Sequence, residues 1–418
     1  MSDVTFRPAV AADIPALADI ECRAFGRDTP DSRAHKQREM ARELAWHVVL
    51  LRGDEPVACA RIQPDRLRVG GCEVLKGDVG HVAVRPELHG QGLGTELMQR
   101  VVAHMRAQGF HLSRLGGLMK FYARFGYEPF IRRYVHIPAP RLDADMKGES
   151  WRQRLGVPDP NAAHVRPYHP TQDHEAVHRL RYGFSARRSG QIVMNPAPSG
   201  PGAGEPDPAG LCFVYDDGAV RGWLQGALGL VHAGDVAPSY RIDDLAYDRA
   251  CPAAVGALVK ALIERAQGIA PTTLVCRLPY DEGLFIALTD AGVSFETVEM
   301  HTAADGNMMQ VINLPATLAA IAPELTERLG EVASWQGRVR FALPGQMATL
   351  AVGPNAVRLA DDASLDLELA ASHADLIKWL LGIVGFAESP QAAALTAAQR
   401  QTLGLLFPRC PCASGPWG

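Results

Sequence analysis

The chain has 418 residues, of which 47% are hydrophobic and 21% are charged, so it is long enough for two or three globular domains and too apolar for a largely disordered protein. Its 42 basic and 46 acidic residues give a formal net charge of −4, which excludes the basic excess that nucleic-acid binders use against phosphates. We find neither an apolar run long enough to cross a membrane nor a signal peptide, so we expect a cytoplasmic protein with no nucleic-acid or membrane partner.

Two similar segments, T-F-R-P from Thr5 and H-V-R-P from His164, indicate an internal duplication. Each segment is followed by an aspartate, Asp13 or Asp173, and then by apolar residues at helical spacing. Each copy therefore predicts a strand that leads into an acidic-capped helix. The match is short, and it leaves open whether the two regions are related copies.

The most informative segment is a glycine-rich loop, R-P-E-L-H-G-Q-G-L-G-T, which follows a predicted strand at 79–84. A helix is predicted directly after it from one apolar face, made of Leu93, Leu97, Val101 and Met105. The first N–H groups of a helix lack internal partners, and glycines allow close approach to them. The loop therefore predicts a cradle for a phosphate or pyrophosphate, with a tight turn that binds nothing as the alternative.

An aromatic segment, F-Y-A-R-F-G-Y-E-P-F at 121–130, follows about 30 residues after the loop. We expect a short helix there that turns at Gly126 into a strand. Proline-rich and glycine-rich stretches at 138–160 and 195–210 then predict a domain boundary and a long loop.

The second half of the chain has different sequence patterns and lacks the glycine-rich loop. Residues 242–259 have a strand–turn–helix rhythm, but Cys251, Pro252 and Ala253 stand where a glycine cradle would be needed, so we expect no second cofactor site. Residues 309–318 predict a strand that runs into a helix. Alternating residues at 339–369 predict antiparallel strands, and helical spacing returns at 375–384 and 397–406, which together indicate an α+β unit.

The eight cysteines do not form a metal-binding pattern. Six are scattered singly, and only Cys410 and Cys412 lie close together. Metal sites usually need two such pairs or a histidine partner at fixed spacing, so we expect reduced thiols and no metal.

The loop and the aromatic segment together resemble the Gcn5-related N-acetyltransferase (GNAT) superfamily. The signature parts are V-A-V-R-P at 82–86, H-G-Q-G-L-G at 89–94 and F-Y-A-R-F-G-Y at 121–127. The resemblance implies acetyl-CoA as co-substrate, with its pyrophosphate on the loop and its pantetheine arm along the preceding strand. His89 stands where the family usually has Arg or Gln. The cofactor-binding residues that the resemblance implies are Val82, Ala83, Val84, His89, Gly90, Gln91, Gly92, Leu93, Gly94 and Thr95.

The whole chain resembles the enhanced intracellular survival (Eis) family of acetyltransferases. The similar parts of the last unit are V-I-N-L-P-A-T-L at 311–318 and L-G-L-L-F-P at 403–408. The resemblance implies an α/β (α+β) fold: tandem GNAT-like mixed sheets flanked by helices, followed by a sterol-carrier-like domain. The implied domains are an acetyltransferase domain at 1–157, a degenerate copy at 158–307 and the sterol-carrier-like domain at 308–418. A homo-oligomer, a hexamer in particular, is also implied.

The resemblance implies direct acetyl transfer to a primary amine of an aminoglycoside, a polyamine or a lysine-type acceptor. Tyr122 matches the position of the family's general acid, with a core aromatic as the alternative role. The base is either the terminal carboxylate at Gly418 or Asp78, although both could be solvated chain or strand ends. Acceptor contacts are expected from Phe25, Asp28, Asp31 and Trp46. A catalytically idle protein that binds acetyl-CoA or lipid is the competing hypothesis.

Overall fold

A computed structural model describes residues 4–138, 161–195, 210–229, 239–267, 273–276, 278–301, 305–330, 332–361 and 364–412. The strands are β1 (Val4–Pro8), β2 (His47–Arg52), β3 (Glu55–Val69), β4 (Cys72–Val84), β5 (Leu112–Leu118), β6 (Glu128–Pro129), β7 (Arg132–Pro138), β8 (Val165–Pro167), β9 (Cys212–Asp216), β10 (Val220–Gly229), β11 (Ser239–Tyr247), β12 (Thr273–Cys276), β13 (Glu296–Met300), β14 (Asp305–Val311), β15 (Gly337–Leu343), β16 (Gln346–Val352), β17 (Val357–Ala360) and β18 (Leu367–Ala370). The helices are α1 (Ile14–Ala24), α2 (Pro30–Arg42), α3 (Leu93–Ala107), α4 (Met119–Tyr122), α5 (Pro170–Ser185), α6 (Ala253–Gln267), α7 (Glu282–Asp290), α8 (Leu314–Leu329), α9 (His373–Leu381) and α10 (Ala397–Leu406).

Two seven-stranded sheets share one topology. The first has the order β1-β2-β3-β4-β5-β14-β6, and the second has the order β8-β9-β10-β11-β12-β7-β13. In each sheet one neighbouring pair is parallel, β4 with β5 and β11 with β12, and the other pairs are antiparallel. The fold is therefore a tandem pair of mixed sheets flanked by helices, as the sequence predicted.

The two sheets exchange one strand each. Strand β7 lies in the second sheet, although the sequence places it in the predicted first domain, and β14 returns to the first sheet. β14 pairs along its whole length with β5, from Asp305 against Leu118 to Val311 against Leu112. Residues 309–311 of this strand were predicted as the start of the third unit, but they pair with the first sheet. The domain boundaries at 157 and 307 stay a prediction, and β7 and β14 are the strands that cross between the sheets.

The duplicated segments build the same local structure twice. In the first copy the guanidinium of Arg7 binds both carboxylate oxygens of Asp13, at 2.6 and 3.0 Å. In the second copy Arg166 binds Asp173 in the same way, at 2.8 and 2.7 Å. Each aspartate also accepts a backbone N–H, from Val10 in the first copy and from His169 in the second. The carboxylates thus tie strand to helix through an arginine rather than only capping the helix.

The third unit is a four-stranded sheet, β17-β16-β15-β18, packed against helices. β15, β16 and β17 are antiparallel as predicted, but β18 is parallel to β15, so the expectation of antiparallel strands throughout was wrong for that strand. The largest buried side chains of its core are Phe341, Trp379, Phe386 and Phe407. This core is continuous with residues of β3, β4 and β14, so the third unit is packed onto the first sheet.

Helix α3 anchors the glycine loop to the first sheet. Its face of Leu93, Leu97, Met98, Val101 and Met105 is buried, and each such side chain contributes about 1.5–3 kcal/mol. All eight cysteines carry free thiols. Among the helices of the described residues, none has both the length and the apolar character to cross a membrane.

Candidate active site

A cleft opens between β4 and β5, the parallel pair of the first sheet. Their pairing runs from Lys76 against Leu112 to Val79 against Leu115. β4 nevertheless continues to Val84 and β5 to Leu118, so the strands diverge beyond this point. The edge of β4 at 82–84 therefore faces the cleft, where an extended arm of a ligand can add to it as a strand does.

The glycine loop lies at the end of that edge and begins helix α3. Gly90 and Gly92 both have φ of +80°, which few side chains tolerate, and Gly92 is the N-cap residue of the helix. A Cβ at either position would meet nothing within 4 Å, so the loop presents bare backbone to open space. Gly94 is packed, since its Cβ would contact Phe121 at 3.5 Å and Val84 at 3.6 Å. This geometry suits a diphosphate held by main-chain N–H groups.

Two side chains fix the loop in place. The Nε2 atom of His89 lies 3.1 Å from the carbonyl oxygen of Val84, which ties the loop to the strand before it. Arg52, at the end of β2, donates to the Oε1 atom of Gln91 at 3.1 Å. Arg52 therefore brings a positive charge to the loop from 39 residues earlier in the chain. The sequence analysis missed it because no local pattern connects the two segments.

Tyr122 lies on the α3 side of the sheet, at the end of the short helix α4. Its ring packs edge-on against Phe121, with 4.9 Å between centroids, and lies 6.4 Å from the Tyr127 ring. Burial raises the pKa of the Tyr122 phenol, so the group is protonated at neutral pH. Tyr127 is fully buried, and its hydroxyl lies 2.7 Å from the Ser113 hydroxyl, which is a structural role.

A close approach to β5 sets the position of Tyr122. A Cβ on Gly117 would lie 3.0 Å from the Tyr122 ring. Gly117 also has φ of +141°, so Gly117→Ala strains the β5 backbone as well as displacing this ring. We expect kcat to fall about tenfold, because small displacements of acting groups reduce rates strongly. The control is Gly116→Ala, where the new Cβ would meet only the Gly306 carbonyl at 3.9 Å. Equal kcat values for the two variants would show that the position of Tyr122 does not matter.

Asp78 lies on β4, on the opposite face of the sheet from Tyr122's cluster. Burial raises the pKa of its carboxyl, and the nearby charges of Lys76 and Arg114 oppose that rise. The ammonium of Lys76 lies 3.1 Å from the carboxylate, and the Arg114 guanidinium lies 3.8 Å from it. Asp78 is thus an ion-paired residue in the last paired part of β4, directly before the cleft, and not a solvated strand end.

His81 is a cleft residue that the sequence analysis did not select. Among the described residues, it is the non-glycine residue with a left-handed backbone, at φ of +54°. It lies at a bulge of β4, where the register with β3 shifts between Cys59 and Arg61. Its Nδ1 atom lies 2.6 Å from the carboxylate of Glu21 on α1. No sequence signal marks a bulge of this kind, because its cause is the pairing with β3.

The predicted acceptor residues lie around α1 and α2. Phe25 is 51% exposed after α1. Asp28 is paired with Arg33 of α2, so part of its expected negative charge is neutralised. Asp31 is exposed in the first turn of α2, and the Trp46 ring lies 5.8 Å from the Arg61 guanidinium.

The candidate base Gly418 lies outside the described residues. The last described part of the tail is anchored where Cys412 exchanges two backbone hydrogen bonds with Tyr280, at 2.8 and 3.2 Å. These two residues border a cavity of about 660 Å³ that contains no residue of the glycine loop. In the part of the chain that the structure describes, no three His, Cys, Asp or Glu side chains gather into a metal-binding group.

Comparison with protein families matches residues 5–130 to the family model of an acetyltransferase (GNAT) domain. These residues are thus similar in sequence to GNAT acetyltransferase domains. The enzyme class is therefore N-acetyltransferase, and the co-substrate is acetyl-CoA. The matched segment contains the diverging β4–β5 pair, the glycine loop and Tyr122. A comparison with curated proteins finds no match.

Solved structures show that the fold resemblance extends over the whole chain. A GCN5-related N-acetyltransferase from Kribbella flavida is 20% identical, with 98% of this chain and 97% of that chain covered at a TM-score of 0.66. Eis1 from Mycobacterium abscessus is 17% identical, with 99% of both chains covered at a TM-score of 0.60. A GCN5-related N-acetyltransferase from Anabaena variabilis is 13% identical, with 97% of both chains covered at a TM-score of 0.58. At these identities the similarity establishes the shared fold.

Proposed function

We propose that this protein transfers the acetyl group of acetyl-CoA directly to a primary amine of a small molecule or peptide. The amines that fit the proposal are aminoglycosides, polyamines and lysine side chains. The observation that carries it is the cleft beyond Val79 and Leu115, which has a bare backbone loop at one end and a protonated tyrosine beside it. Ionisable groups on the opposite face of the sheet supply an approach for the amine.

Acetyl-CoA supplies an activated acyl carbon, and the residues of this chain would hold that carbon in place. The N–H groups from Gly90 to Thr95 would hold the diphosphate, with Arg52 beside Gln91 adding charge. The edge of β4 at 82–84 would hold the pantetheine arm. A backbone N–H of the same edge would polarise the thioester carbonyl as charge develops on its oxygen.

Tyr122 is the general acid of the proposal. The departing sulfur needs a proton, and a phenol whose pKa is raised by burial still carries one at neutral pH. After donation, the phenolate oxygen takes the second proton from the acetylated nitrogen, which returns the tyrosine to its starting state. The packing of Tyr122 between Phe121 and Gly117 keeps the hydroxyl in one orientation.

The sequence predicted two bases, Asp78 and the terminal carboxylate of Gly418. Asp78 is favoured by its position on β4 in the cleft and by burial, which raises its pKa and makes it a better proton acceptor. Gly418 is favoured by the resemblance of the chain to the Eis family.

The acceptor would approach along α1 and α2, past Phe25, Asp28, Asp31 and Trp46. Exposed carboxylates attract cationic amines over a distance of about one Debye length. Because Asp28 is already paired with Arg33, Asp31 is the stronger attractor in this group. A polycationic acceptor would therefore bind more weakly at high salt.

We also propose an Eis-like organisation for the whole chain. The full-length fold resemblance to Eis1 supports it, as does the strand exchange that unites the two sheets. The proposal includes the domains 1–157, 158–307 and 308–418, a sterol-carrier-like third unit, a cytoplasmic location and a homohexamer. A lipid-carrying role would require an apolar cavity in the third unit, whose described core contains the buried side chains of Phe341, Trp379, Phe386 and Phe407.

The function is tested by measuring free CoA released from acetyl-CoA with a panel of amines. We expect turnover with at least one aminoglycoside, polyamine or lysine peptide, and mass spectrometry should show one or more added acetyl groups. Acetyl-CoA binding without turnover on any amine would favour the idle binding protein instead.

A further inference from the structure

The inference rests on the proposed function and concerns the group that accepts the proton from the amine. His81 occupies a left-handed backbone conformation that is strained for a residue with a Cβ. Strain of this kind is retained where the surrounding structure holds it and is concentrated at active sites. The bulge places the His81 side chain one residue before the edge at 82–84.

The bulge turns His81 away from Tyr122. Val82 and Val84 pack into the apolar cluster that contains Phe121 and Tyr122, on the α3 side of the sheet. Ala83 packs into the cluster of α1, and His81 reaches Glu21 on the same helix. A thioester that lies along the edge of β4 therefore has a phenol on one side and an imidazole on the other. This arrangement separates the acid from the base.

Glu21 holds the imidazole in one tautomer. Its carboxylate is 4% exposed and lies 2.6 Å from His81 Nδ1 and 2.8 Å from the ammonium of Lys36. Although burial acts to raise the pKa of Glu21, the hydrogen bonds from His81 and Lys36 hold it below its usual value, so the group is ionised. An ionised carboxylate at Nδ1 keeps the proton there and leaves Nε2 as the basic nitrogen.

Other ionisable side chains surround this pair. Facing it are Lys36 and Glu39 on α2, His47 on β2 and Arg61 on β3. Lys36 and Arg61 are neutralised, by Glu39 at 2.7 Å and by Glu43 at 2.7 Å. Burial lowers the pKa of His47 to about 4, so it adds no charge near neutrality. The imidazole of His81 therefore has one dominant neighbour, the carboxylate of Glu21.

We propose that His81 accepts the proton of the acceptor ammonium, and that Glu21 is its positioning residue. The side chain of His81 is 31% exposed, against 19% for Asp78, which is also held by the Lys76 ammonium. His81 is thus the more accessible proton acceptor on this face of the sheet.

The proton accounting balances with His81 in this role. One proton of the R–NH3+ group passes to Nε2, and the free amine forms an N–C bond to the thioester carbon. The C–S bond then breaks, and the sulfur takes the Tyr122 proton. The second nitrogen proton restores the phenol, the third stays on the amide, and the imidazolium releases its proton to water. The net products are the acetamide, CoA–SH and one proton.

The test uses His81→Asn, because asparagine tolerates a left-handed backbone, and His81→Gly, which removes the strain altogether. We expect both variants to lose about 100-fold in kcat, as removal of a general base should, with unchanged CoA affinity by calorimetry. Added imidazole should restore part of the turnover of His81→Gly and none of Tyr122→Phe. Wild-type turnover in both His81 variants would overturn the inference.

Variants of Glu21 separate His81 from the other candidate bases. Glu21→Gln should lower kcat while KM for acetyl-CoA stays unchanged, because the imidazole loses the carboxylate that orients it. Glu21→Asp should recover part of the lost kcat. Wild-type kcat in Glu21→Gln, together with a loss in Asp78→Asn or in a chain that ends at residue 412 as large as that in His81→Asn, would overturn the assignment. Absence of turnover by the wild type on every amine would instead refute the proposed function, and the inference with it.

Discussion

We expect Tyr122→Phe to lower kcat by about 10²-fold while CoA binding stays within twofold of wild type. The hydroxyl is the only group that the substitution removes, and the ring contacts with Phe121 and Gly117 remain. Steady-state assays with a responsive amine give kcat, and calorimetry gives the CoA affinity. Because burial raises the pKa of this phenol, deprotonation of Tyr122 should not lower wild-type activity between neutrality and about pH 10.

Tyr127→Phe is the matched control for this substitution. Tyr127 lies in the same segment, and among the described residues its hydroxyl bonds to Ser113 in the buried core. Ser113 also donates to the carbonyl of Gly77 at 2.9 Å, so it keeps a partner when the phenol is removed. We therefore expect about 1 kcal/mol of lost stability and nearly unchanged kcat. A similar kcat loss in both variants would mean that Tyr122 acts through packing and not through proton transfer.

Local pattern was enough to predict the elements that form the proposed co-substrate site. The apolar spacing from Leu93 to Met105 predicted α3, and the glycines before it predicted its exposed N-terminus. The segment 397–406 was predicted within the bounds of α10. These elements have one apolar face and clear ends, so the sequence alone defines them.

Strand β4 was recognised only in part, from 79 to 84, although it begins at Cys72. Its first half alternates poorly, because Lys76 and Asp78 form an ion pair on one face of the sheet. On the other face lies Gly77, where a side chain would not fit, because a Cβ there would lie within 3.1 Å of Met105 and Phe110. Charged residues and glycines within a strand give the sequence pattern of a loop, and only their contacts in the fold show that they belong to a strand.

The strand exchange could not be predicted from periodicity. β7 and β14 occupy the same position in two sheets of identical order, between the fifth and the last strand. An alternating pattern shows that a segment is a strand, but it does not show which of two equivalent gaps the strand fills. His81 and Glu21 were missed for a similar reason, because 60 residues separate the two groups whose contact defines them.

The second sheet has the strand and helix arrangement of the first sheet but not its glycine loop. It repeats the parallel pair, in β11 and β12, and the following helix, in α6. The turn between β11 and α6 contains Cys251 and Pro252 in place of glycines. Pro252 lacks an N–H and so cannot donate a backbone hydrogen bond to a phosphate. The same arrangement of strands and helix thus forms without the three glycines, so the fold itself does not require them.

We expect Gly92→Val to weaken CoA binding at least tenfold, which corresponds to about 1.4 kcal/mol. The new side chain would occupy the open space at the N-terminus of α3, where we propose that the diphosphate approaches the N–H groups. At saturating acetyl-CoA much of kcat should remain, because Tyr122 and His81 are untouched. Isothermal titration with CoA measures the first effect, and assays at rising acetyl-CoA concentrations measure the second.

Gly109→Val is the control at the opposite end of the same helix. Gly109 has φ of +78°, against +80° for Gly92, and a Cβ at either position would meet nothing within 4 Å. The backbone strain of the two substitutions is therefore similar, about 1–2 kcal/mol of stability in each case. Only Gly92 adjoins the cradle, so similar melting temperatures with different CoA affinities would locate the diphosphate on this loop. Equal CoA affinities in the two variants would place the co-substrate elsewhere and remove the basis for the proposed chemistry.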